Sequence, residues 1–592
     1  MFSGRASGRL PPGPAVRHRQ QGKGLDTEGI STSRRSVATA KWLFACIALL
    51  PCIGLAQTTL DQQEQRERAQ REAQARQQQR ATPDVRLTTS RGTDFHRTDL
   101  PAEQPCFRLD SVRLEGPHLA DFAWVQRYLD RYAGKCAGRR GIELVVRRTS
   151  DLIIDRGYVT TRVGVAAQDL STGVLHLTLV PGVIRRIRYA DSTLAGAWQT
   201  ALPMRPGDLL NLRDVEQGLE QMKRVPSQDV NIDIAPGDVP GASDLVITVK
   251  RSRPWHLVAT LDDAGSRATG RGQAGISAGF DNPLGINDIL SLGYNHDVWQ
   301  STGHGTRGVN ASYSVPFGRW LFTLSAYDYA YHQTVAGYQT TFLSRGKSRT
   351  TDLTVQRMIH RNGSGKTSLE LRLGKRKAHS FIEDTEVTSQ RRDVTSAELA
   401  LVQRQYLGAA QLDLRLAQRR GVSWFGGQRD APGHQPSDPS FGYRLWILDA
   451  SLNLPFQAGA LPLQWMSELH AQCSGETLYG SEFITLGGRY TVRGFDGEQT
   501  LAAERGWTWR NTLTAPLGAL PAALYVGFDV GHIGGPSKNI YGTEHTLRGG
   551  VFGLRGQLGR LGWDVFAGWA LTGGRVLETR RPATGFQLVY QY

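Results

Sequence analysis

Several short patterns in the chain carry residue types capable of chemistry. GISAG, residues 275–279, has the spacing of a serine nucleophile elbow. That device needs a strand–turn–helix context, and Ser277 lies inside an alternating run that reads as a strand. GSGKT, residues 363–367, ends like a phosphate loop, but the first glycine of that pattern would fall at His360, so the stretch reads as a turn. The 14 His include no H-E-x-x-H and no Cys/His cluster at zinc spacing. The pairs Asp262–Asp263 and Glu383–Asp384 read as solvated loop charge. No catalytic residue, metal site or cofactor is expected, and no enzyme.

Two stretches are more specific. GGRYTVRGFDGEQ, residues 487–499, sets Arg489 and Arg493 in a glycine-rich loop. VGFDVGHI, residues 526–533, alternates as a strand: Val526, Phe528 and Val530 share one face, Gly527, Asp529 and Gly531 the other. If the apolar face meets lipid, Asp529 faces a lumen, with glycines clearing room beside it. A carboxylate so placed wants a cation, and a guanidinium satisfies it with two parallel bonds. Arg493 is the candidate partner if its loop folds inward; otherwise both groups are solvent-exposed.

The elements that would position them follow from the rest of the sequence. The 592 residues include 67 Gly, 13 Trp, 18 Tyr and 19 Phe but only 5 Met. This composition suits many short amphipathic strands with tight turns. From 253 to 592, sixteen alternating segments follow one another, from 255–264 to 584–592. Short connections such as PFG, LGAA and LGRLG alternate with long ones, of which 473–503 is the sixth. Short turns at one end and long loops at the other mark a membrane β-barrel of antiparallel strands. An even strand number leaves both barrel ends on the short-turn, periplasmic side.

Upstream, residues 106–181 and 182–252 each read as β-α-α-β-β, an internal repeat of one small α/β module. Cys106 and Cys136 fall in the first copy and are expected to pair; Cys473 is left over. Residues 83–105, with Pro83, Pro101 and Pro105, read as a linker. Residues 57–82 hold no Gly or Pro and only one large apolar residue, Leu60. Such a segment is a disordered tether, an exposed coil, or a helix in a wet cavity. Residues 1–56 end in a short apolar run after Arg34, Arg35 and Lys41, too short for a membrane span, and read as an extended, cleaved signal peptide. The net charge of +16 is spread and shows no nucleic-acid signature.

GGRYTVRGF resembles the VRG[F/Y] loop motif of two-partner secretion transporters (TpsB proteins of the FhaC/ShlB/HecB haemolysin secretion/activation type). GFDVG resembles the F-x-D-x-G strand motif of the wider superfamily, and CFRLDSVRLEG the opening of a first POTRA module. The likeness covers nearly the whole mature chain. It implies a sixteen-stranded outer-membrane barrel, two periplasmic POTRA modules and an N-terminal plug helix at 57–82. It implies a loop motif of Val492, Arg493, Gly494 and Phe495, a wall motif of Phe528, Asp529 and Gly531, and an Arg493–Asp529 ion pair inside the pore. The implied partners are outer-membrane lipid and a large secreted TpsA exoprotein (adhesin, haemolysin or contact-dependent inhibition toxin), with no nucleotide. The alternatives are a barrel-assembly insertase of the same superfamily, which carries a longer POTRA array, and a passive porin.

Overall fold

The computed structural model describes residues 84–87 and 94–592, except 194–195, 300, 337–338, 519, 542–543 and 573–576, together with residues 62, 65, 66, 68, 70–72 and 76. The expected signal peptide, residues 1–56, lies outside the described residues.

Alternating strands each leave one apolar face uncovered, and here that face points outward. Among the described residues, sixteen strands of eight or more residues close a barrel, from Trp255–Asp262 to Ala583–Gln591, which pair with each other to complete it. Leu324, Leu353, Leu371, Leu399, Trp446, Val526, Phe528 and Trp569 are exposed on the outside. An apolar surface of this extent belongs in lipid. The inner wall carries charge instead, as in Arg372–Asp352 at 2.8 Å and Arg419–Glu398 at 2.6 Å. The fifth, sixth and seventh strands, Trp320–Ala336, Thr341–Asn362 and Gly365–Ile382, run further toward the long-loop end than the segments 319–330, 349–359 and 365–378 that hydropathy marks. Beyond the lipid both faces are polar, so the alternation fades while the hydrogen-bonded ladder continues.

Each upstream module is a three-stranded sheet covered by helices. In the first, Ser111–Glu115 pairs in parallel with Val174–Val180, which also pairs with Arg162–Gly164. Helix Arg139–Asp155 packs Val145 and Ile153 into a core with Leu109, Phe122 and Leu177. The Cys106–Cys136 disulfide, with Cα atoms 5.6 Å apart, clips a two-residue ladder at the module's edge. Closing a loop of 30 residues restricts the unfolded chain by about 3–4 kcal/mol. Cys106→Ser with Cys136→Ser is therefore expected to lower the urea midpoint for protease cleavage in the first module and leave the barrel's midpoint unchanged. An unaltered midpoint would show that the crosslink adds nothing to the module's stability.

In the second module, Val183–Tyr189 pairs in parallel with Ala242–Arg251, which also pairs with Gln228–Pro236, under helix Leu212–Lys223. Hydrogen bonds from Arg185 hold the Asp244 carboxyl well below the ordinary carboxylate range, and Arg186 adds to this. That stabilisation is present at neutral pH and is lost as pH falls through the depressed value.

The second module is docked on the barrel's short turns. Gly318 N donates to Thr200 O at 2.7 Å, Asn287 Nδ2 to Ala197 O at 3.0 Å, and Arg224 Nη2 to Asn287 O at 2.9 Å. Arg361, at the end of the sixth strand, bonds Glu216 at 3.2 Å and Glu220 at 2.9 Å on the module's helix. Parts of the segment expected as a linker are built into this assembly. Lys366, from GSGKT, binds both Glu220 and Asp84, while Leu87 N donates to Glu216. Phe95 is buried in the first module's core.

Candidate functional site

The loop between the eleventh strand, Leu461–Ser474, and the twelfth, Arg505–Pro516, is glycine-rich yet packed. Its stems form a small hairpin, Ile484–Leu486 with Leu501–Ala503. Val492 and Phe495, 0 % and 3 % exposed, pack with Leu486 and Leu501 against Ile533 and Leu547 of the barrel wall. Burying these apolar side chains drives the loop inward, and the polar residue between them must then find a partner.

Arg493 finds it on the thirteenth strand, Ala522–Gly534. Its Nε donates to Asp529 Oδ2 at 2.8 Å and its Nη2 to Oδ1 at 2.7 Å, a bidentate pair. Its backbone N–H donates to Oδ2 as well, at 2.8 Å. Nη2 also donates to Asn511 O at 3.0 Å and Thr512 Oγ1 at 2.9 Å. Asp529 is fully buried and accepts three hydrogen bonds from one residue. Arg510 Nε stands 4.0 Å from the same carboxylate.

Glycines make the approach possible. A Cβ on Gly527 would lie 2.6 Å from Arg493 Nη2, and one on Gly549, across the sheet from Asp529, 1.7 Å from Arg493 O. Gly494 has φ +107° and runs against the Trp569 backbone, where a Cβ would meet the carbonyl oxygen at 2.4 Å. No L side chain fits that conformation without strain. Phe528 points the other way, into lipid, and Gly531 lies beneath Leu486 and Val492.

The structure thus brings together Val492, Arg493, Gly494 and Phe495 with Asp529 and Gly531. It does not bring Ser277 to any elbow: Ser277 pairs in register with Val258 and Gly293 within the barrel sheet. Among the described residues no three His, Cys, Asp or Glu side chains converge as a metal site needs.

The sequence reading missed two features. Asp263 is not solvated loop charge. It accepts from Arg489 and from Phe586 N at 3.0 Å, so the same loop is held at a second point, on the barrel's closing seam. Nothing local signals this pairing, since the partners lie 226 residues apart. The second feature is Glu482. Its carboxylate lies 2.9 Å from Arg376, 3.5 Å from Arg419 and 3.3 Å from Arg68.

Arg68 belongs to the upstream polar segment, whose described residues 62, 65, 66, 68, 70–72 and 76 are helical. Arg68 also donates to Ser481 O and Phe483 O, both at 2.9 Å. Gln65 donates to Gly480 O at 2.5 Å and Arg66 to Glu498 O at 2.6 Å. Further along, Glu72 meets Arg419 at 3.9 Å, Arg76 meets Asp449 at 3.5 Å, and Arg71 lies over the Tyr327 ring. These partners come from the inward-folded loop and from the inner wall, so the described helical residues lie inside the barrel. A helix polar on every face finds there the polar contacts that an apolar core would deny it.

Comparison with known proteins yields one consistent set of likenesses. Residues 241–556 match the family profile of haemolysin secretion/activation protein ShlB/FhaC/HecB. Residues 107–182 match a ShlB-type POTRA domain and 183–236 a POTRA domain. The chain is 41% identical over 552 residues to outer membrane transporter CdiB-2 of Burkholderia pseudomallei strain 1026b, spanning 90% of this chain and 94% of that one. It is 32% identical to outer membrane transporter CdiB of Dickeya dadantii strain 3937, spanning 83% and 88%. Among solved structures, CdiB from Escherichia coli superposes with a TM-score of 0.82 at 28% identity, covering 91% of this chain and 100% of that one.

Proposed function

The chain belongs to the haemolysin secretion/activation family of ShlB, FhaC and HecB type, and is an outer-membrane two-partner secretion transporter with its POTRA modules in the periplasm; from that premise we propose that it exports one large TpsA-type exoprotein. The class proposed for the client is a contact-dependent inhibition toxin, adhesin or haemolysin. The client reaches the periplasm unfolded and meets the POTRA modules first. The second module offers the longer open edge: Gln228–Pro236 pairs on one side only among the described residues, with Val230 and Ile232 buried and Asp229, Asn231 and Asp233 outward. An extended client segment adds there as a further strand, main-chain bonds giving affinity and the outward polar positions giving selectivity.

The observation that carries export over barrel assembly is the pair of modules among the described residues, the second docked on the short turns of a barrel whose inner wall meets the described polar helical residues. In this reading residues 57–82 form a plug that leaves before the client threads, and the Arg493–Asp529 clamp fixes the loop lining the path. Folding of the client outside gives direction, since no nucleotide motif is present. The test is deletion of this gene's product in cells making its partner exoprotein. Surface export is expected to stop while other outer-membrane barrels keep their levels. A general loss of barrel proteins would instead support the insertase reading.

A further inference from the structure

The long fifth, sixth and seventh strands carry a feature that export does not use. Pairing register and alternation place Arg345, Lys347 and Arg349 on the same outward face of the sixth strand as the exposed Leu353. Lys375 and Lys377 share the outward face of the seventh with Leu369 and Leu371, and Arg307 that of the fourth, His304–Phe317, with Val309. Arg349 lies directly opposite Lys377. Like charges facing each other across a ladder repel, so the wall calls for counter-ions.

The protein supplies few of them. Asp328 pairs with Arg349 at 2.6 Å, and Asp393 with Lys375 and, at 3.6 Å, with Lys377. Arg345 reaches only Asp384 at the hairpin tip, 92% exposed. Arg307 and Lys347 make no ion pair with any described residue. Six cations on this wall thus face three carboxylates, Asp328, Asp393 and Asp384.

Height decides what anion meets them. Arg357, stacked 4.9 Å over the Trp320 ring, marks the periplasmic rim. Eight residues along a tilted strand separate it from Arg349, a rise of roughly 20 Å against an apolar band of about 25 Å. Arg349 and Lys377 therefore stand at the outer edge of the apolar band, with Lys347, Arg307 and Arg345 above them at the headgroup level.

The geometry points to a binding surface for the phosphate groups of the outer-leaflet glycolipid, with Arg307 and Lys347 as the cations left for the ligand. Guanidinium groups bind phosphate bidentately, and clustered ammonium groups at a membrane surface attract anionic headgroups. The surface would seat the barrel against a fixed lipid neighbour on one flank.

The test uses the purified full chain in detergent, incubated with lipid A, with dephosphorylated lipid A or with phosphatidylglycerol, and read by native mass spectrometry. Wild-type protein is expected to retain lipid A at least about fivefold better than the dephosphorylated form. Arg307→Gln with Lys347→Gln, which breaks no internal ion pair, is expected to abolish that preference while heat-modifiable migration and partner export stay normal. Equal retention of phosphorylated and dephosphorylated lipid A would overturn the proposal, as would an unchanged preference in the variant. Equal retention of phosphatidylglycerol would show a surface that reads charge alone and overturn the glycolipid assignment. Loss of partner export in that variant would assign the wall to an acidic segment of the client instead.

Discussion

Arg493→Ala is expected to lower export of the partner exoprotein about tenfold or more in cells where the barrel still inserts, because it strips a fully buried carboxylate of both guanidinium hydrogen bonds it receives. The backbone N–H bond survives the substitution only if the loop stays in place, and the guanidinium is the group that ties the loop to Asn511, Thr512 and Asp529 together. Breaking a buried pair from one side costs on the order of 3–5 kcal/mol, most of it the isolated charge. The two sides are not equivalent. After Arg493→Ala, Arg510, already 4.0 Å from the carboxylate, is available to take up part of its charge. After Asp529→Ala, Arg493 and Arg510 face each other with the intervening anion gone. Asp529→Ala is therefore expected to be the more severe change, and the double variant less severe than the two effects added. Arg493→Lys keeps the charge but loses the bidentate geometry, so intermediate export is expected. Secreted partner per unit of heat-modifiable barrel is the measurement. Wild-type export by both alanine variants would remove the clamp from the mechanism.

How legible this was in the sequence depends on the range of each signal. The barrel strands were readable because each must present a lipid face, and lipid enforces period-two alternation residue by residue. Val526, Phe528 and Val530 show it in five positions. The Arg493–Asp529 proximity was approachable for the same reason: alternation put Asp529 inside, and glycines on both sides of it announced a close neighbour. Asp263 gave no such announcement. It follows a strand at the start of the barrel, and its partner Arg489 meets it only because the barrel closes on itself. Glu482 was equally silent, since three cations converge on it from an upstream helix and two strands. The outer reaches of the fifth to seventh strands were underestimated because alternation stops where the lipid stops, although backbone pairing continues.

Deleting residues 58–82 is expected to raise single-channel conductance in planar bilayers by about twofold or more, since an α-helix with its side chains is about 10–12 Å across and a sixteen-stranded barrel otherwise leaves an aqueous channel. The contacts of the described helical residues say how firmly the helix is held. Nearly all are single charged or amide groups reaching loop carbonyls and wall carboxylates: Gln65 to Gly480, Arg66 to Glu498, Arg68 to residues 481–483, Arg76 to Asp449. None buries a large apolar side chain, so the helix is retained by a set of exchangeable polar bonds that water or a threading chain can replace one at a time. Arg68 carries the densest cluster, and its partner Glu482 keeps Arg376 and Arg419 after the helix goes. Arg68→Ala is thus expected to produce brief openings at the deletion's conductance level without moving the loop, and raising ionic strength is expected to lengthen them, because the partly exposed Arg76–Asp449 pair that remains is screened by salt. The clamp at Arg493 should be indifferent to both changes, its carboxylate being closed to solvent. Conductance unchanged by the deletion would show that these residues do not obstruct the pore. Openings abolished rather than lengthened by salt would show that the helix is not held by charge.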